Sequence, residues 1–76
     1  MVRFYIRVNT GDNNRTHKYY FIHKNHDDLT DDEQKRLFDI AVKELNRIYK
    51  SYGRFATSTG VINFFESHGF EHTISN

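Results

Sequence analysis

Residues 2 to 8 alternate without a break: Val2, Phe4, Ile6 and Val8 fall on one side, Arg3, Tyr5 and Arg7 on the other. A period of two is the mark of a half-buried strand. Gly11, Asp12, Asn13 and Asn14 follow, residues that tolerate positive φ and cap turns, so the chain is expected to reverse there. It resumes at about Thr16 with a run, His17 to Lys24, that is aromatic and β-branched at its centre. Two such runs joined by a short turn predict an antiparallel hairpin.

The period then changes. Thr30 followed three residues later by Glu33 is a capping box, in which each side chain satisfies the other residue's free backbone N–H. Beyond it, Leu37, Ala41, Leu45, Ile48 and Tyr52 recur at three- and four-residue spacing, and Phe38, Val42 and Tyr49 widen the stripe. Asp31 and Asp32 in the first turn and Arg47 and Lys50 near the last agree with the direction of the helix dipole. Gly53 stands where a left-handed residue would end the helix.

A second, shorter helix is expected to begin after Thr57, Ser58 or Thr59, to carry Val61, Phe64 and Phe65 inward, and to end at Gly69. Phe70 falls where a residue packs back on the helix it has just left. Glu71 to Ser75 is polar apart from Ile74 and reads as a short edge strand or a frayed tail. The predicted fold is a small α+β domain over residues 1–76. Its antiparallel sheet comprises the N-terminal hairpin, with or without a short C-terminal edge strand, and one long and one short helix pack on one face, in the order ββαα(β).

Size changes the picture next. A chain of 76 residues buries only roughly 60% of the surface its unfolded form exposes, so the core is thin. Disulfides and thiolate zinc sites cannot supplement it, because Cys is absent. Aromatic residues, at 16% of the chain, supply large buried areas in their place. No apolar run approaches the roughly 20 residues of a membrane span, and the alternating N-terminus is unlike a signal peptide. A cytoplasmic protein without a membrane partner is expected.

Net charge is only +1, but the charges are segregated. Arg3, Arg7, Arg15, Lys18 and Lys24 fill the first third with Asp12 as the one acid; Asp27, Asp28, Asp31, Asp32 and Glu33 follow within seven positions. Three of these five acids serve the helix N-terminus, and the run lacks the alternating spacing and glycine of a calcium loop. The remaining role is contact with a basic partner. On the hairpin, Arg3, Tyr5 and Arg7 lie beside Lys18, Tyr20, Ile22 and Lys24 if the strands pair. The result is a basic surface studded with aromatics. Such a face suits a protein partner or a second copy of the chain, since Tyr and Arg are enriched at interfaces. It also suits nucleic acid, whose bases stack on aromatics while Arg and Lys meet phosphates.

Catalytic constellations are not legible. No Ser sits in a Gly-flanked elbow. The spacing of His23 with His26, and of His68 with His72, invites zinc or nickel, but the first pair lies at a strand end and loop and Gly69 breaks the register of the second. A ββα metal nuclease would need a ligand on the helix where Leu37, Phe38 and Ala41 stand. Exposed histidines at element ends are the simpler reading, with no metal and no cofactor. Arg54 with Thr57 and Ser58 forms a weaker candidate for anion binding at the start of the second helix, where simple capping competes.

The expectation is therefore a small non-enzymatic module that binds another protein through Arg3, Tyr5, Arg7, Lys18, Tyr20, Asp27, Asp28, Asp31 and Asp32, as an inhibitor or regulator. Phe, Tyr, Ile, Asn and Lys are frequent while Pro and Trp are missing, the bias of an AT-rich genome. With the small size, this points to an accessory protein of a phage or other mobile element. An anti-CRISPR or other anti-defence protein acting on a host nuclease or its nucleoprotein complex is one concrete class. The alternative is a nucleic-acid-binding module using the basic, aromatic sheet face.

Overall fold

The computed structural model describes residues 2–10, 15–52 and 58–73. Elements follow in the order β1 (Phe4–Thr10), β2 (Arg15–His23), α1 (Asp31–Tyr52), α2 (Ser58–Ser67) and β3 (Phe70–Thr73), the ββααβ arrangement that the periodicity predicts. The three strands form one antiparallel sheet in the order β1-β2-β3, so β2 is central and pairs with the strand before it and with the last strand described. Tyr5 lies opposite Tyr20, Arg7 opposite Lys18, Ile22 opposite Glu71 and Tyr20 opposite Thr73.

Both helices cover the same face of the sheet. Tyr19 and Phe21 from β2, Phe38, Ala41 and Leu45 from α1, Val61 and Phe65 from α2, and Phe70 from β3 make the buried core, with Phe4, Ile6, Val42, Ile62 and Phe64 packed around it. Alternation in the strands is what divides the two faces: residues directly opposite one another share a side, so Phe4, Tyr19, Phe21 and Phe70 face the helices while Tyr5, Lys18 and Tyr20 face away. Rings dominate the contacts. Phe38 stacks on Phe4 at 5.0 Å and on Phe65 at 5.2 Å, and meets Phe70 edge-on at 5.3 Å, arrangements that the ring quadrupole favours.

The caps form as their residues require. Thr30 N–H donates to Glu33 Oε1 and Glu33 N–H donates to Thr30 Oγ1, each at 3.1 Å. Gly69 ends the turn after α2 with φ +89°, and an added Cβ there would stand 3.2 Å from His23 Nε2. Gly53 lies outside the described residues.

Three positions depart from the pattern. Leu37, expected within the apolar stripe, is 39% exposed, and Ile40 is 55% exposed. The core-facing line runs Gln34, Phe38, Ala41, Leu45, and Leu37 sits about 100° around the helix from Phe38. His23, expected as an exposed histidine at a strand end, is buried at 6% exposure. It is an inward residue of the central strand, with its ring edge-on to Phe70 at 4.9 Å. Among the described residues no helix is long and apolar enough to cross a membrane.

Candidate functional site: the uncovered sheet face

With both helices on one side, the other side of the sheet carries the alternate residues of each strand. Arg3, just before β1, and Tyr5 and Arg7 within it are exposed; Lys18 is exposed and Tyr20 half-buried on β2. Of the seven residues expected to form one basic, aromatic surface, these five are therefore brought together, and Ile22 lies on the same side. Tyr5 and Tyr20 are direct cross-strand partners with ring centroids 5.8 Å apart. Tyr5 remains 53% exposed despite that contact. Lys18 Nζ lies over the Tyr5 ring at 5.4 Å, within cation–π range.

β3 adds residues that the hairpin alone does not reveal. Glu71 opposite Ile22 and Thr73 opposite Tyr20 extend the same face. Thr73 Oγ1 is buried and has no hydrogen-bond partner. The signal for these two was present in the weak strand predicted after Gly69, but their facing requires the register. The face is graded: Arg3, Arg7 and Lys18 lie toward β1, and Glu71 lies on β3 across the central strand. Arg7 directly opposes Lys18. Like charges in opposed positions of an antiparallel pair repel, so this placement costs the sheet stability.

The acidic residues do not join this surface through the strands. Asp27 and Asp28 are exposed in the turn after β2, and Asp31 and Asp32 are exposed in the first turn of α1. His26 Nδ1 is 3.1 Å from Asp27 Oδ1. Glu33 is held below its ordinary pKa, first by the Thr30 backbone N–H and then by the Thr30 hydroxyl. Farther along, the side-chain hydrogen bonds of Arg47 lower the pKa of Glu44.

Beneath the acidic turn is a buried polar joint that the sequence did not disclose. Gln34 is 1% exposed, and its Nε2 donates to the carbonyls of Leu29 at 3.0 Å and His26 at 3.3 Å. Asn25 N–H donates to His23 Nδ1 at 2.9 Å. Lys24 N–H donates to the Gly69 carbonyl at 2.9 Å and Lys24 Nζ to the Glu66 carbonyl at 3.2 Å. Lys24 thereby ties the end of β2 to the end of α2 and does not extend the free basic face.

Among the described residues no three His, Asp or Glu side chains converge as metal ligands would. His68 is exposed and His72 half-buried on opposite sides of Gly69. The candidate anion site falls outside the described residues at Arg54 and Thr57, and only the backbone of Ser58, the first residue of α2, is described. No protein-family model, curated protein or solved structure matches the chain.

Proposed function

We propose that this protein is a small binding module that attaches to another protein through the uncovered face of its sheet and so inhibits or regulates that partner. The observation that supports this reading is the Tyr5–Tyr20 pair on the solvent side, flanked by Arg3, Arg7 and Lys18. Tyr and Arg are enriched among the residues that anchor protein interfaces, Tyr because its rigid ring gives a large contact area and Arg because its planar guanidinium carries five N–H donors. The exposed Tyr5 ring and the half-buried Tyr20 beside it stand on the side opposite the core and add little to it. The opposed Arg7 and Lys18 carry a cost that an anionic partner would offset. Composition and size suit an accessory protein of a phage or other mobile element, and inhibition of a host defence nuclease is the concrete form of that idea.

The test is capture from the lysate of an AT-rich bacterial host with a tagged copy, with and without nuclease treatment, alongside the variant Arg7→Glu/Lys18→Glu. A protein held stoichiometrically through nuclease treatment, and lost with the double variant while its circular dichroism is unchanged, is the expected result. Equal capture by both proteins would remove the sheet face from the reading. Nucleic acid recovered in place of protein, with affinity falling about one log unit per log unit of salt for each phosphate neutralised, would replace the protein partner with a nucleic-acid one.

A further inference from the structure

We infer that the partner docks by adding an extended acidic segment to the free edge of β1, continuing the sheet with a fourth strand. This rests on the reading of the sheet face as a protein-binding surface, and adds the mode of contact and its chemistry. The strand order leaves β1 at one end of the sheet, and among the described residues no strand pairs with its outer side. Alternate residues along its seven positions therefore turn N–H and C=O groups outward, a ready template for another strand. The edge carries no Pro, which would remove a donor.

Charge selects the occupant. Arg3 and Arg7 stand two residues to either side of Tyr5 on the solvent face, with Lys18 directly behind Arg7 on the next strand. A second copy added antiparallel about Tyr5 would set Arg3 against Arg7 and Arg7 against Arg3, the like-charge opposition that disfavours pairing. In that register the arginines that disfavour self-pairing attract a strand whose solvent-side residues are Asp or Glu, so charge favours an acidic occupant over a second copy. Glu71 lies at the far side of the face, beyond β2, so Arg3 and Arg7 stand on the β1 side and the acid on the β3 side. A continuous anionic surface without a strand would satisfy the charges, but not the row of backbone groups.

The probe is a synthetic peptide of four Glu-Val repeats, compared with four Lys-Val repeats, with the Glu peptide N-methylated at alternate residues, and with a short oligothymidylate. Binding to the full chain is read by amide chemical-shift changes. The Glu peptide is expected to shift the amides of residues 4–10 in a saturable manner, with the Lys peptide and the N-methylated peptide each weaker by about tenfold or more, and Arg7→Glu losing the Glu peptide while keeping a folded spectrum. Equal binding of the N-methylated peptide would overturn strand addition and leave the charged-face reading intact. Shifts confined to Lys18, Tyr20 and Ile22, or no saturable binding of the Glu peptide, would overturn it as well. Preference for the oligothymidylate would overturn both the acidic strand and the protein partner.

Discussion

At the scale of single residues, the joint between β2 and the α2–β3 turn sets the tightest tolerances. Gly69 combines a left-handed φ of +89° with a Cβ position 3.2 Å from the imidazole of His23. An alanine there meets two penalties, a backbone conformation that L residues rarely adopt and a contact with a buried ring held in place by Asn25 N–H. Gly69→Ala is expected to destabilise the protein by about 1 to 2 kcal/mol, read as a fall in the urea midpoint at unchanged slope. A change under a few tenths of a kcal/mol would mean that the turn relaxes freely. Gly69 was legible as a helix terminator from its place after an apolar run. Its close approach to His23 was not, because that pairing depends on β3 returning beside β2. Gln34 was hidden for a related reason: its amide replaces water for the Leu29 and His26 carbonyls, and nothing in the sequence marks those groups as buried.

At the scale of elements, α1 begins through a reciprocal pair of hydrogen bonds, and its dependence on acidity follows from them. Glu33 titrates below its ordinary 4.5 because the ionised carboxylate accepts the Thr30 N–H. A carboxyl whose folded pKa is depressed contributes stability that is complete above the unfolded value and is lost as pH falls through the folded one. Glu44, lowered by Arg47, acts in the same sense. Helix content is therefore expected to hold from neutral pH down to about 4.5 and to decline below it, with Glu33→Gln flattening that decline in a circular dichroism titration. An unaltered profile in the variant would show that the acid limb belongs to other groups. Thr30→Ala is expected to cost about 1 kcal/mol at pH 7, measured by denaturant unfolding. This helix start was readable because a capping box is local, with both partners three residues apart. The sheet face was readable only in part: alternation placed Tyr5 and Arg7 outside, whereas the opposition of Arg7 to Lys18 is a matter of register, which the turn between the strands decides.

At the scale of the whole molecule, the Phe38 ring joins α1 to each of the other elements. Phe38 touches β1 through Phe4, α2 through Phe65 and β3 through Phe70, and also lies 6.3 Å from Phe21 of β2. A chain of 76 residues has about 4 to 11 kcal/mol of net stability in hand. Removing such a ring costs about 3 to 5 kcal/mol, so Phe38→Ala is expected to take a large share of that stability, read as a fall in the urea midpoint well beyond that of Phe38→Leu. An alanine variant whose midpoint falls no further than that of Phe38→Leu would show that no single ring holds the layers together. The central position of β2 has another consequence, in time. Its second neighbour is β3, separated from it by both helices, so the hairpin and α1 can form from contacts close in sequence but the sheet cannot close until Phe70 to Thr73 have been made. On the ribosome, the buried side of β2 must wait behind an incomplete core until β3 has left the exit tunnel, and the arrival of β3 is the step that commits this sheet to its fold.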